Sequence, residues 1–183
     1  MTQLAEHYLE TVRAALEAQK QRAEEALARL EPADYHTTLD PEMNSAAVIV
    51  KHMAGNMRSR WRDFLTSDGE KADRHRDDEF VDTLETVEEI MQAWETGWQT
   101  LFGALDALTP NDLLKTVTIR GRELTVLQAI ERQLAHYANH VGQIVFLAKH
   151  LRSEDWQMLS VARGKSDEFN ESMDYDPDGK ATS

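Results

Sequence analysis

TVLQAIERQLAHYANHVGQIVFLAKHL, residues 125–151, is the stretch on which the fold turns. Val126, Ile130, Leu134, Tyr137, Val141, Ile144, Ala148 and Leu151 recur every three or four residues, the period of a helix with one apolar face. Thr125 with Gln128 three residues on offers a capping box, so a helix of about seven turns is predicted.

The same period appears three more times upstream. Leu4, Tyr8, Val12, Leu16, Ala23, Leu27 and Leu30 mark a long first helix, with Thr2 available as N-cap and Pro32 just beyond its end. After EPADYHTTLDPEMN, which carries two prolines and no period, Asn44 or Ser45 can cap a second helix over residues 45–65. Val50, Met53, Met57, Trp61 and Phe64 share its apolar face. TSDGEKADRHRDDEF breaks the pattern again. Asp82 with Glu85 then offers a capping box for a third helix, whose apolar positions run from Leu84 and Val87 to Leu105 and Leu108, before Pro110. In KTVTIRGRELTV, β-branched residues flank Arg120–Gly121, the pattern of a small hairpin before the last long helix. Helices of about 30–40 Å that match in length suit an antiparallel four-helix bundle. The expected organisation is one all-α domain over residues 1–170, followed by a polar, acidic, disordered tail over 171–183.

Composition narrows the function. The chain has 183 residues and 41% hydrophobic content, enough for one buried core. With 20 Lys and Arg against 33 Asp and Glu, its net charge of -13 argues against nucleic acid or anionic lipid as partners. No apolar run is long enough for a membrane span and no leader pattern is visible, so a soluble cytoplasmic protein is expected. Cysteine is absent, so any metal must use His, Asp or Glu.

His136 and His140 lie one helical turn apart, at the margin of the apolar stripe, where two imidazoles can reach one ion. Such a pair also arises as two hydrogen-bonded histidines without a metal. His52, Asn56 and Arg60 form a second polar row, at i, i+4 and i+8 of the second helix, beside Val50, Met57 and Trp61. If the second and fourth helices are neighbours, His52 completes a three-histidine shell with an open position, and Asn56 and Arg60 line its pocket. Tyr137 stands where a zinc peptidase HExxH motif would carry its general-base Glu, and no His has Glu three residues before it. A mononuclear, histidine-rich site remains, with Zn²⁺ the first choice and Ni²⁺ or Fe²⁺ the alternatives. Arg74, Arg76, Arg120, Arg122, Arg163 and Lys165 cluster in the connections, either around an anionic ligand group or as surface pairs of Glu70, Asp77, Asp78 and Glu79. Trp61, Trp94, Trp98 and Trp156 have the spacing of core residues.

SAAVIVKHMAGNMRSRWRDFLTSDGEK, IRGRE, RQLAHYANHVGQIVFLAKHL and RGKSDEFN together resemble the DinB-like, or YfiT-like, superfamily of metal-binding four-helix bundles, within it a branch of uncharacterised domains. The similarity covers about residues 4–170. The resemblance implies a single divalent metal held by one His of the second helix and an HxxxH pair of the fourth, which fall on His52, His136 and His140. It also implies a homodimer. Superfamily members of known activity are metal-dependent transferases or isomerases that use low-molecular-weight thiols, and others have been proposed as hydrolases. A small-molecule substrate is therefore expected, with a low-molecular-weight thiol as co-substrate and Asn56, Arg60 or Tyr137 orienting it. The rival expectation is a non-catalytic metal- or ligand-binding bundle, stress-related and working as a dimer.

Overall fold

A computed structural model describes residues 2–173 of the chain. These residues are mostly helical, with α1 Thr2–Leu27, α2 Ala46–Trp61, α3 Val87–Asp106, α4 Val126–Leu151 and the short α5 Ser166–Ser172. Single 3₁₀ turns at Pro32–His36, Asp77–Phe80 and Pro110–Asp112 punctuate the connections. Strands β1 Thr116–Ile119 and β2 Arg122–Thr125 form an antiparallel hairpin, in which Thr116 faces Thr125 and Ile119 faces Arg122. Arg120 (φ 56°) and Gly121 (φ 70°) both adopt the left-handed conformation of a type I′ hairpin turn.

Local chemistry accounts for most of the boundaries. Ser45 Oγ accepts from Val48 N at the start of α2, and Thr125 with Gln128 forms the predicted box at the start of α4. The start of α3 differs from the sequence expectation, because the box is built by Thr86 and Glu89 and not by Asp82 and Glu85. Asp82 instead bonds His36 (2.8 Å) and Ser45 (3.4 Å), tying two connections together. Helix α2 stops at Trp61, short of residue 65, where Arg62 turns extended and Asp63 takes φ 50°. Phe64 nevertheless packs on Trp61, with ring centroids 4.8 Å apart.

Cross-helix contacts set the directions of the long helices. Tyr8 donates to Glu131 (2.8 Å) near the N-terminal ends of α1 and α4, and Arg152 reaches Glu31 and Asp34 (both 3.6 Å) past their C-terminal ends, so this pair is parallel. Helices α2 and α3 are parallel too: Gly97 abuts Ala54 midway, and Trp61 and Phe64 share a cavity wall with Ala104 and Leu108 at the far end. Helix α3 runs antiparallel to α1, through Arg13–Asp106 (2.7 Å), Lys20–Glu95 (2.9 Å) and Trp94 Nε1 to Glu24 (3.1 Å). Helix α4 runs antiparallel to α2. The parallel pairs depart from the simple antiparallel expectation, and the reason is connection length. Residues 62–86 can cross the ~24–30 Å length of a helix of 16–20 residues and re-enter in the same direction.

The core is aromatic and completely enclosed at Trp61, Trp94, Trp98 and Tyr137, with Leu16 and Leu27 from α1. The hairpin is moored to the long connection, because Asp68 accepts from the Arg120 and Gly121 amides (both 2.8 Å) and Gly69 N donates to Thr118 O (2.8 Å). Two compact units divide the chain between Ser153 and Glu154. The second unit holds Trp156 and α5, beside which Lys165 pairs with Glu168. Of the tail expected over 171–183, residues 171 and 172 instead close α5, and residues 174–183 lie outside the described residues.

At Gly97 the backbones of α2 and α3 approach closely, since a Cβ there would stand 2.9 Å from Ala54 Cα. Gly97→Ala should therefore lower the free energy of unfolding by about 1–3 kcal/mol, because backbone must move to admit the methyl. A urea midpoint equal to or above that of the wild type would show that the crossing has slack.

Candidate metal centre

Helix α4 places His136 and His140 one turn apart, with their Nε2 atoms 3.2 Å from each other. Helix α2, antiparallel to it, brings His52 Nε2 to 3.4 Å from His136 Nε2. One ring nitrogen from each of the three lies within 4.8 Å of the others. A tetrahedral shell with metal–nitrogen distances of about 2.0–2.1 Å has edges of about 3.3–3.4 Å, so two of the three separations already match that of a histidine-bound zinc. The donor set fits a divalent cation that accepts imidazole, and these three side chains could hold it.

A second layer sets which nitrogen is free. His52 Nδ1 donates to Glu79 Oε2 (2.9 Å) and His140 Nδ1 to Gln143 Oε1 (2.9 Å), because a carboxylate or amide oxygen can only accept. Both rings are thereby held as the Nδ1–H tautomer, with the Nε2 lone pair facing the cluster. His136 Nδ1 is buried without a partner, as is Gln133 Oε1 one turn before it. Burial, reinforced by the positive charge that His140, His52, Arg60 and Arg132 can carry, pushes the His136 pKa down to about 3. Burial also lowers that of His140. His136 is accordingly neutral at physiological pH, the form that ligates.

The other residues of the α2 row are buried but spent elsewhere. Trp61 Nε1 donates to the Tyr137 hydroxyl (3.0 Å), which in turn donates to Asn56 Oδ1 (3.1 Å). Burial pushes the Tyr137 phenol well above its ordinary pKa, so this hydroxyl stays protonated within a clasp between α2 and α4. Arg60 donates to Gly69 O and to Glu70 (2.8 Å), and its Nε is left without a partner. All three members of the row are buried, and His52 is the member that reaches the paired histidines.

The arginine-rich connection contributes something that sequence reasoning missed. Arg74 grips Glu79 through Nε (2.8 Å) and Nη2 (2.7 Å) and reaches Glu70 (3.1 Å), which also accepts from Arg120 (3.2 Å). The sequence left Arg74 either to an anionic ligand group or to a surface pair with residues such as Glu79, yet the two side chains pair with only 4% and 8% exposure. Arg76, by contrast, pairs with exposed Asp77 (3.7 Å), and Arg163 and Lys165 belong to the second unit. Gln143 could have been found from its place three residues after His140. Glu79 had no such signal, being 27 positions from His52 in the chain.

Helices, hairpin and histidine cluster define a mostly helical protein with a candidate mononuclear metal centre. The chain belongs to the family described as "Protein of unknown function (DUF1572)", whose model matches residues 3–165. No curated protein and no solved structure matches it. No described helix is long and apolar enough to cross a membrane.

The metal-free protein should lose stability as pH falls from 6.5 towards 3. An unfolded histidine takes up its proton near about 6.5, whereas folded His136 does so only near about 3. Between these values the unfolded state binds more protons, so stability is fully present above the upper value and is lost on acidification towards the lower. Urea unfolding at a series of pH values should give a flatter profile for His136→Gln than for the wild type. Identical slopes would mean that burial does not depress this histidine.

Proposed function

We propose that this chain is a divalent-metal-dependent enzyme in which His52, His136 and His140 hold one cation, most simply Zn²⁺ with Ni²⁺ or Fe²⁺ as alternatives. The reaction proposed is transfer to or from a low-molecular-weight thiol, with hydrolysis of a small-molecule substrate as the other branch. The observation that carries the reading is the meeting of three Nε2 atoms from two helices, two of them on rings whose Nδ1–H is already engaged. The architecture proposed is a DinB-like four-helix bundle. It is supported by the cycle of contacts α1–α4, α4–α2, α2–α3 and α3–α1, and by the origin of the ligands in the second and fourth long helices.

Bound there, the cation would supply a Lewis-acid position able to lower the pKa of a thiol or a water. The chain's own contributions are distinct from that. His52 is buried and held by Glu79, so it provides a rigid side of the shell, while His136 and His140 are partly open and leave the substrate an approach. All three ligands are uncharged imidazoles when they bind, so the positive charge of the site is not neutralised and an anionic nucleophile is favoured. Asn56 and Tyr137 orient α4 against α2 and thereby set the spacing of His136 and His140 from His52. Arg60 adds fixed positive charge close enough to act on His136.

A non-catalytic reading, a metal-binding helical protein acting as a homodimer, is favoured by one observation: Asn56, Arg60 and Tyr137 already bond to other protein groups. The two readings separate on activity. Untagged wild-type protein should carry about one equivalent of divalent metal by mass spectrometry, and His52→Ala and His136→Ala should both lose it. With a low-molecular-weight thiol and a test electrophile, turnover should vanish on chelation and return with added Zn²⁺. Turnover that survives complete metal stripping would sink the enzymatic reading, and metal-loaded protein without turnover on thiol or hydrolytic substrates would favour the binding one.

A further inference from the structure

We infer that residues 77–83 form a built outer shell for His52, with Glu79 as its positioning residue and Gly55 as the position that admits it; this rests on the three-histidine centre proposed above. Three independent features of the geometry converge on one imidazole.

The 3₁₀ turn Asp77–Phe80 delivers two consecutive side chains to His52. Glu79 takes the edge of the ring through its Nδ1–H (2.9 Å), and Phe80 lies against the face, with centroids 4.7 Å apart and planes inclined by 31°. Edge and face together restrict both the tautomer and the rotation of the ring, which are what a metal ligand needs fixed before the metal arrives.

The turn is itself held from α2. Lys51, the residue before His52, sends its ammonium to Asp78 O (2.6 Å), Val81 O (2.8 Å) and Thr83 Oγ1 (2.6 Å). Successive residues of one helix thus grip the same segment, one by its backbone and one by its carboxylate. Arg74 closes the arrangement on the other side of Glu79, its two bonds occupying both carboxylate oxygens. A bidentate guanidinium holds a carboxylate in plane as well as in place.

Gly55 makes the approach sterically feasible. A Cβ built on it would stand 2.7 Å from Glu79 Cδ and closer still to Oε1. Glycine inside a helix is less favourable than alanine, so its presence at residue 55 of α2 is locally unfavourable and is offset by the close approach of the carboxylate. Neither Gly55 nor Glu79 touches the position a cation would take, so both act through His52.

The test is metal affinity, read by competition with a chromogenic chelator for Zn²⁺ and by the visible absorption of the Co²⁺-loaded protein. Glu79→Gln and Gly55→Ala should each weaken Zn²⁺ binding about 10–100-fold, the usual cost of losing an outer-shell partner. The ligand-field bands of Co²⁺ should shift in both. Because both changes act on one carboxylate, the double variant should bind no more weakly than the weaker single variant. Gly55→Ala retains every charge and adds one methyl, so it remains informative if Glu79→Gln strands Arg74 and fails to fold. Wild-type affinity and an unaltered Co²⁺ spectrum in Gly55→Ala would overturn the inference, as would losses that simply add in the double variant. Failure of the wild-type protein to bind either ion would instead fail the three-histidine centre, and the inference with it.

Discussion

A row of three polar side chains, His52, Asn56 and Arg60, is buried along α2 from its second turn to its last, and the rest of the first unit is arranged to satisfy it. Each would be costly to enclose without a partner. The partners come from different parts of the chain: Glu79 and His136 for His52, the Tyr137 hydroxyl for Asn56, and Gly69 O with Glu70 for Arg60. Satisfying them forces α4 to lie antiparallel to α2 with Tyr137 and His136 facing it. It also forces the connection after α2 to fold back along the helix it has just left.

That connection explains the unusual directions of the helices. Had residues 62–86 been a tight turn, α3 would have run back antiparallel to α2. Instead they travel along the side of α2, depositing Glu70, Arg74 and Glu79 as they go, and α3 then starts level with the beginning of α2. The closeness of the resulting parallel pair depends on Gly97, where the helix backbone meets Ala54 without a side chain between them. The hairpin is part of the same construction, because Asp68 and Gly69 hold it while Glu70 accepts from Arg120 at its tip.

The charges behind the site are set in opposed pairs. A chain of net charge -13 keeps Arg60 and Arg74 beside the histidine cluster, and it sets Glu70 and Glu79 between them as counter-charges. Burial, with Arg60 among the neighbouring positive charges, disfavours protonation of His136. Burial thus keeps His136 unprotonated and ready to donate a lone pair.

The four long helices, the hairpin and its turn were legible in the sequence, because each is written in short-range signals. Apolar residues at helical spacing, Ser45 and Thr125 as caps, and Arg120–Gly121 between β-branched residues all act over a few positions. The candidate ligands were legible for the same reason: His136 and His140 are one turn apart, and His52 heads a polar row. Where two local signals competed, the nearer reading failed. Asp82 and Glu85 had the pattern of a capping box, but Asp82 was drawn off by His36, and Thr86 took its role. Helix direction and the outer shell were decided only in three dimensions. Glu79 reaches His52 across 27 positions and Tyr137 reaches Asn56 across 81. Such pairings depend on how far a connection can travel and on which buried polar groups still lack a partner when the helices meet, and neither quantity is expressed in any local run of residues.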